Sequence, residues 1–315
     1  MTIARLISGI RHEENSVVTI GTFDGVHLGH QAILREVTAR ARARGGRSVV
    51  VSFDPHPRDV VGRGPVRCLT TLDERLALIA GTGIDAAVVL EFTYEFSRQS
   101  PDDFYRRYVV EGTGVAEVVE GFDHMFGRDR EAGVESLREL GRRYGFQTLT
   151  VPPVMIADEA VSSSSIREKI LAGDVAGAAE FLGRPYAISG TVVRGDGRGK
   201  EIGFPTANVG PAPDNKVVPA NGVYFVRVSL AGGEFPGMAN IGVRPTFRDD
   251  ARRTIEVHLF DRDGDLYGEP ITVGFLRRLR EERKFSSAQE LVRQLKNDKE
   301  MCLGLIKESA NARVV

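Results

Sequence analysis

Cysteine is nearly absent from this chain, which contains only Cys68 and Cys302 among its 315 residues. Two cysteines are too few for a disulfide framework or for a cysteine-based metal site. Charge of one sign is not in excess either, because 42 Lys and Arg residues stand against 43 Asp and Glu residues, for a formal net charge of −1. This balance argues against a general nucleic-acid-binding surface, but it allows a local phosphate pocket.

Long apolar segments are also missing. No run approaches the roughly 20 residues that a membrane-spanning helix needs, and the N-terminus lacks the apolar region of a signal peptide. We therefore expect no membrane partner and a cytoplasmic location. Hydrophobic residues still make up 42% of the chain, which is enough for packed cores. At the usual ~100–200 residues per domain, this length predicts two domains.

Short apolar runs alternate with amphipathic segments up to about residue 155. Such alternation is typical of βαβ units around a parallel sheet, which makes this half an α/β domain. Ser165, with Glu168 three residues later, fits a capping box that opens a helix ending near Ala172, and another short helix is predicted over 174–182. The predicted strands of this half are 17–20, 49–53, 86–90, 117–120 and 148–151, and its other predicted helices lie at about 31–44, 72–81, 101–110 and 134–144.

The pattern changes after Pro185. Short strand-like segments, separated by Gly, Pro and Asp, then follow one another without a helix-length amphipathic segment, which predicts an antiparallel β-barrel. Apolar spacing from Ser286 to about Lys307 predicts a terminal helix packed on that barrel. We therefore expect one domain over 1–185 and a second over 186–315. The predicted barrel strands are 187–193, 222–230, 238–243, 254–260 and 271–275.

The segment Gly21–His30 reads Gly-Thr-Phe-Asp-Gly-Val-His-Leu-Gly-His and joins a predicted strand to a predicted helix. Backbone N–H groups at such a junction can bind a phosphate, and a helical turn would place His27 and His30 on one face. Two imidazoles there can donate hydrogen bonds to charge that develops on a phosphate. A glycine turn with two surface histidines is the alternative on physical grounds.

The His-x-Gly-His ending resembles the nucleotide-binding motif of the nucleotidyltransferase superfamily, and the residues before it resemble the bacterial FAD synthetases. Phe53–Pro57 (Phe-Asp-Pro-His-Pro) and Ser162–Arg167 (Ser-Ser-Ser-Ser-Ile-Arg) resemble the same family, although a stiff strand exit and a serine-rich cap are the simpler interpretations. The resemblance implies a Rossmann-like nucleotidyltransferase domain with Phe53–Pro57 beside its pocket. The implied ATP and phosphate contacts are Gly21, Phe23, Asp24, His27, His30, Asp123, Ser163, Ser164 and Arg167.

The loop Gly121–Gly127 carries one departure from that family. Relatives commonly have Asn or Asp at the position of Asp123, followed by an aromatic residue, whereas this chain has His124. The loop contacts nucleotide and flavin in the family, so this change bears on flavin stacking there. A glycine-bounded loop with a solvated charge cluster is the alternative.

The second half opens with a glycine-rich basic loop, whose backbone could approach phosphates closely or form a mobile hairpin without a ligand. The loop leads into Gly-Phe-Pro-Thr-Ala-Asn at 203–208, which resembles the signature of riboflavin kinases. The resemblance implies that Thr206 and Asn208 hold Mg²⁺ and the ATP phosphates, through oxygen ligands that suit this cation. Lys200 stands where the family often has arginine, so charge is kept but bidentate geometry is lost. The implied ATP contacts are Gly195, Gly199, Lys200, Pro205, Thr206 and Asn208.

Glu256 lies in the segment Thr254–Phe260, where strand alternation puts it on the same face as His258. Such a glutamate is ordinarily a solvated strand residue, but the segment resembles the Glu-Val-His motif of riboflavin kinases. The resemblance implies that Glu256 is the catalytic base, which accepts the proton of the ribityl hydroxyl as it attacks ATP. The implied flavin contacts are Asn240, Arg244, Phe275 and Arg277.

Both halves together resemble the bacterial bifunctional riboflavin kinases/FMN adenylyltransferases over nearly the whole chain. The resemblance implies that the C-terminal domain phosphorylates riboflavin to FMN, and that the N-terminal domain adenylylates FMN to FAD with release of pyrophosphate. The implied substrates are ATP, riboflavin and FMN, with Mg²⁺ as cofactor. Two other classes stay open: another nucleotidyltransferase with a non-catalytic barrel, and a non-enzymatic flavin-binding or regulatory protein.

Overall fold

A computed structural model describes the chain except for residues 6, 63, 65, 123–132, 196–197, 211, 214, 244–252, 263 and 312–315. The chain divides into two compact units, Met1–Ser163 and Ser164–Val315. The boundary that the sequence predicts, near residue 185, stays a prediction. The residues between these two positions form two helices, which the division assigns to the second unit.

The first unit contains the predicted parallel sheet. Its strands are β1 (Thr2–Ala4), β2 (Ser16–Ile20), β3 (Ser48–Asp54), β4 (Ala86–Glu91), β5 (Val115–Gly121) and β6 (Gln147–Val151). They are arranged in the order β1-β4-β3-β2-β5-β6, and all five neighbouring pairs are parallel. The sequence pattern predicted five of these strands, whereas the short edge strand β1 has too few residues to show a period.

Helices connect these strands. The long predicted helix over 101–110 is a succession of short pieces, because a π-helical segment, Tyr105–Val110, separates two short α-helices. A 3-10 turn at Ile7–Gly9 and a two-stranded hairpin of β7 (Met155–Ile156) and β8 (Glu159–Ala160) complete the unit. The helices are α1 (Leu28–Ala43), α2 (Pro57–Val61), α3 (Leu72–Ala80), α4 (Tyr94–Ser97), α5 (Pro101–Phe104), α6 (Glu111–Thr113) and α7 (Val134–Tyr144).

Apolar side chains cover both faces of the central strands, as expected for a parallel sheet between helices. Every residue of β2 is buried. On one face, Val18 and Val49 belong to a core cluster with Tyr105. On the other face, Val17 and Val50 pack with Leu34 and Val37 of α1. The sheet is therefore a rigid base for the loops that leave its carboxyl edge.

The second unit contains the predicted closed antiparallel barrel, and α11 (Ala288–Asn311) is the expected terminal helix. The strands of the barrel are β9 (Tyr186–Val193), β10 (Ala207–Val209), β11 (Gly222–Leu230), β12 (Gly233–Val243), β13 (Arg253–Leu259) and β14 (Pro270–Arg280), and the remaining helices of the unit are α8 (Ser163–Ala172), α9 (Val175–Leu182) and α10 (Arg198–Glu201). The barrel order is β10-β13-β12-β11-β14-β9, and β9 pairs with β10 to close it.

The helices of this unit differ from the sequence-based expectation in two details, and strand β10 was not predicted. Helix α8 begins at Ser163, so Ser165 lies inside the first turn and is not the N-cap of a capping box. The terminal helix carries Asp298, which is fully buried and accepts hydrogen bonds from the guanidinium of Arg280 at 2.8 and 3.1 Å. This buried ion pair, absent from the apolar pattern, ties α11 to β14. Among the described residues, no helix is long and apolar enough to cross a membrane.

Candidate active sites

The loop that follows β2 has an unusual backbone. Phe23 and Val26 have positive φ angles of 51° and 40°, on either side of Gly25 at 82°. Residues with a side chain rarely adopt this region, and a β-branched residue such as Val26 does so least of all. A conformation of this kind persists only where surrounding contacts enforce it, and such strain is common at functional sites.

The carboxylate of Asp24 is the main anchor of this loop. Asp24 is 2% exposed and accepts hydrogen bonds from the backbone N–H groups of Leu69 (2.8 Å) and Thr70 (3.0 Å). The Thr70 hydroxyl also donates to Asp24 and accepts the backbone N–H of Gly25. Phe23 is 3% exposed and packs in the core. Both residues thus shape the loop, and their direct contact with ATP stays a prediction, as does that of the half-buried Gly21.

His27 and His30 come together at the start of α1, as the spacing predicted. The Nδ1 atom of His27 accepts the backbone N–H of His30 at 3.3 Å and caps the helix. The two rings stack with centroids 3.6 Å apart. Since Nδ1 is an acceptor, neutral His27 carries its proton on Nε2, which is then a donor. Burial holds the pKa of His30 well below its ordinary value, with smaller electrostatic effects of the neighbouring His27 and Arg75, so this ring is neutral at pH 7.

Ser163 joins a second predicted segment to the histidine loop. Its hydroxyl donates to the backbone carbonyl of Asp24 at 2.9 Å, from the first position of α8. Ser164 is exposed and Arg167 is half-buried on the same helix. The phosphate contacts of these three residues stay predictions. Asp123 and His124 lie outside the described residues.

The segment Phe53–Pro57 leaves β3, the neighbour of β2 in the sheet. His56 caps α2 by accepting the backbone N–H of Arg58 at 3.1 Å. Phe53 belongs to a half-buried aromatic cluster that sequence reasoning missed, because its members come from segments without a common period. Aromatic faces at the carboxyl edge of a sheet can stack on a flat ligand ring. The cluster, with centroids 5.4–6.2 Å apart, consists of Phe53, Phe92, Phe96, Phe104 and Tyr108.

In the barrel, three polar residues form a row across neighbouring strands. Glu256 on β13 is the register partner of Asn208 on β10 and of Asn240 on β12. Directly opposed residues of antiparallel strands project on the same face. The predicted base therefore lies between a predicted ATP contact and a predicted flavin contact, an order that only the strand register reveals.

Two glycines leave the space that Thr206 and Asn208 occupy. A Cβ at Gly195 would overlap the side-chain amide of Asn208, and one at Gly199 would overlap the Phe204 carbonyl and lie 3.4 Å from the Thr206 hydroxyl. The glycine-rich loop thus packs directly on the Thr206–Asn208 segment. The Thr206 hydroxyl and the Asn208 amide oxygen are neutral ligands of the kind that suits a cation which keeps several waters. Elsewhere in the described chain, no group of three His, Cys, Asp or Glu side chains could hold a metal.

His258 has a positional role that sequence spacing did not show. Its Nδ1 atom lies 2.8 Å from the carbonyl oxygen of Pro205, which accepts only, so Nδ1 is the donor. The ring is packed near Phe204 and Phe260, and burial lowers its pKa. His258 therefore holds the backbone immediately before Thr206.

The remaining residues that we predicted for the kinase site differ in their solvent exposure. Lys200 and Pro205 are exposed. Phe275 is fully buried and packs edge-on against Tyr224, with ring centroids 5.4 Å apart, whereas Arg277 is exposed on β14. Arg244 lies outside the described residues. Flavin contacts by these side chains stay predictions.

Comparison with known proteins matches the two halves of the chain to two different families. The FAD synthetase family model matches residues 9–165, and the riboflavin kinase family model matches residues 182–305. A Pseudomonas fluorescens protein named bifunctional riboflavin kinase/FMN adenylyltransferase is 38% identical over 99% of this chain and its own full length. Proteins of the same name from Listeria monocytogenes (38% identical, 91% of each chain) and Bacillus subtilis (37% identical, 92% of this chain and 93% of the relative) are similar as well.

A solved structure shares the fold over nearly the whole chain. It is named as a macrolide-efflux protein from Streptococcus pneumoniae and superposes with a TM-score of 0.86, at 33% identity, over 95% of this chain and 97% of its own. That name differs from the names of the sequence relatives, whereas both family models and the three relatives agree with one another.

Proposed function

The chain belongs to the family of bifunctional riboflavin kinase/FMN adenylyltransferases, and from this we propose which of its residues perform each reaction. It phosphorylates riboflavin to FMN and adenylylates FMN to FAD. The main support for this assignment is that each family match contains a set of signature residues that the fold brings together. We place adenylyl transfer at the His27–His30 pair and phosphorylation at the Asn208–Glu256–Asn240 row.

In adenylyl transfer, a phosphate oxygen of FMN attacks the α-phosphorus of ATP, and the bond to pyrophosphate breaks. Negative charge grows on the α-phosphate oxygens and on the leaving group. His27 presents its Nε2–H, fixed by the helix-cap hydrogen bond, and His30 is a neutral ring stacked on it. Preorganised donors of this kind stabilise developing charge without reorganisation. The Phe53 aromatic cluster is our candidate platform for the flavin ring.

In phosphorylation, the ribityl hydroxyl of riboflavin attacks the γ-phosphorus of ATP, and ADP leaves. Glu256 accepts the hydroxyl proton, with Asn208 on one side for the nucleotide and Asn240 on the other for the flavin. Thr206 and Asn208 would hold Mg²⁺, which neutralises phosphate charge when bound. His258 fixes Pro205 and thereby the position of Thr206. Because ATP is a substrate of both reactions, we propose a cytoplasmic location.

Incubation of the purified chain with riboflavin, ATP and Mg²⁺, with FMN and FAD resolved by chromatography, tests the assignment. We expect FMN to form first and FAD to follow, and EDTA to suppress both. A nucleotidyltransferase with a non-catalytic barrel would make FAD only when FMN is supplied. A flavin-binding protein without turnover would make neither product.

A further inference from the structure

Arg75 of α3 is a buried cation beside the adenylyl-transfer site. It is 5% exposed, although it lies in the charged segment Asp73-Glu74-Arg75 and has the sequence context of a surface residue. Its Nη1 donates to the backbone carbonyl of Thr22 at 2.8 Å, and its Nη2 donates to the backbone carbonyl of Phe53 at 2.9 Å. One guanidinium therefore joins the loop that leaves β2 to the end of the neighbouring strand β3.

The two segments that Arg75 joins lead into the proposed site. Thr22 precedes the strained residues Phe23 and Val26, which lead into the His27 cap. Phe53 opens the Phe-Asp-Pro-His-Pro segment and belongs to the aromatic cluster. The geometry points to Arg75 as a positioning residue for adenylyl transfer, which sets the histidine pair and the Phe53 loop at their working separation.

Arg75 also acts electrostatically on its surroundings, in addition to holding the two segments together. Its hydrogen bonds to Thr22 and Phe53 go to neutral carbonyls, and its Nε is a buried donor without a hydrogen-bond partner among the described residues. Asp24 and Asp54 lie within electrostatic reach, but the Asp24 carboxylate already accepts backbone N–H groups. Burial lowers the pKa of Arg75, and its charge helps to lower the pKa of His30. A buried positive charge therefore lies within electrostatic reach of His30.

Arg47 is a matched control within the same unit. Its Nη2 donates to the backbone carbonyl of Arg11 at 2.7 Å, its side chain is 14% exposed, and its Nε is also a buried donor without a partner among the described residues. Arg47 immediately precedes β3, whereas Phe53 lies near the other end of that strand. Replacing Arg47 removes one hydrogen bond to a carbonyl and an ion pair with Glu13 at 3.5 Å, and replacing Arg75 removes two hydrogen bonds to carbonyls. Only Arg75 lies at the carboxyl edge of the sheet.

The experiment uses the full chain with Arg75→Met, Arg75→Lys and Arg47→Met, and it measures kcat and KM for FAD formation from FMN. Riboflavin phosphorylation by the same samples and near-ultraviolet circular dichroism report folding. We expect Arg75→Met to lower the kcat of FAD formation by at least about tenfold, since a small misplacement of reacting groups costs up to about a hundredfold. Arg75→Lys keeps the charge, but a lysine has one nitrogen in place of the two guanidinium nitrogens that donate to Thr22 and Phe53. Its kcat should therefore lie between those of Arg75→Met and the unchanged chain.

The pKa of His30, followed through its ring NMR signals, should rise in Arg75→Met and stay unchanged in Arg47→Met. The charge of Arg75 helps to lower the pKa of His30, so removing that charge has a predictable sign. A kcat for FAD formation that is unchanged in both Arg75 variants overturns the proposal, and so does an equal loss in Arg47→Met. If Arg75→Met does not fold, Arg75→Lys decides by the same criterion.

The inference rests on the proposed placement of adenylyl transfer at His27 and His30, so His30→Ala is included. Full FAD formation by His30→Ala would refute that placement. Loss of activity in His30→Ala together with normal activity in both Arg75 variants would refute the role of Arg75 alone.

Discussion

His27 accepts the backbone N–H of His30 through Nδ1 at 3.3 Å, and the same two rings stack with centroids 3.6 Å apart. One hydrogen bond therefore caps α1, fixes the tautomer of His27 and sets the distance between the two side chains. The helix start and the proposed phosphate donors are one arrangement. A substitution at His27 consequently affects stability and chemistry through different atoms, which can be separated.

His27→Asn and His27→Ala separate these two effects. Asparagine is a good N-cap and should preserve stability, whereas alanine should lower the free energy of unfolding by about 1 kcal/mol. Both variants lose the Nε2 donor, so both should lower the rate of FAD formation from FMN by about 10²–10³. Thermal unfolding and FAD formation measure the two effects, with riboflavin phosphorylation as the internal control. An asparagine variant with normal FAD formation would return His27 to a purely structural role.

Glu120 predicts a pH dependence of stability. It is 2% exposed on β5, and burial raises its pKa to about 7, against lesser opposing effects of Thr150 and Arg138. The folded chain therefore binds the proton of the Glu120 carboxyl more tightly than the unfolded chain does. This difference stabilises the folded chain fully below about pH 4.5, and the stabilisation is lost as pH rises through about 7. The loss is at most about 3 kcal/mol.

Glu120→Gln stays neutral at every pH and should lack this loss. The difference in free energy of unfolding between the variant and the unchanged chain should therefore grow in favour of the variant from about pH 5 to pH 8. Urea unfolding at the two pH values measures it. A difference that stays constant with pH would mean that Glu120 titrates in its ordinary range.

The two units should be separable, and α9 should decide how stable the barrel fragment is. The sequence places the boundary at 185, so fragment 186–315 should make FMN but not FAD. Fragment 164–315 keeps α9, whose buried Phe181 and Leu182 are on a helix that packs against β9 and β14. Burial of two such side chains contributes about 3–6 kcal/mol, so the longer fragment should unfold at a distinctly higher temperature. Equal unfolding temperatures would show that α9 does not stabilise the barrel.

Local periodicity predicted most of the fold, since strands such as Val17–Ile20 and helices such as 134–144 bury one or both faces in a regular pattern. Periodicity did not reveal strand segments that are short or rich in polar residues. Strand β10 has only three residues inside a motif, and β14 extends beyond Phe275 through a run of arginines to Arg280.

The site was predictable in its parts but not in its arrangement. Motif residues such as His27, Asn208 and Glu256 stand out locally, yet the row that joins Asn208 to Glu256 depends on strand register. Arg75 gave no signal, because a charged residue in a helix is ordinarily exposed and its carbonyl partners are 53 and 22 residues away.

The most direct test of the two-site account compares Glu256→Gln with His27→Asn in the full chain, supplied with either riboflavin or FMN. Glutamine has nearly the shape of glutamate but cannot accept the hydroxyl proton. Glu256→Gln should lower the kcat of riboflavin phosphorylation by about 10²–10⁴ and leave FAD formation from FMN intact. His27→Asn should show the reverse pattern. If Glu256→Gln keeps full kcat for riboflavin from about pH 6 to 9, or if either variant loses both reactions while folded, the account is contradicted.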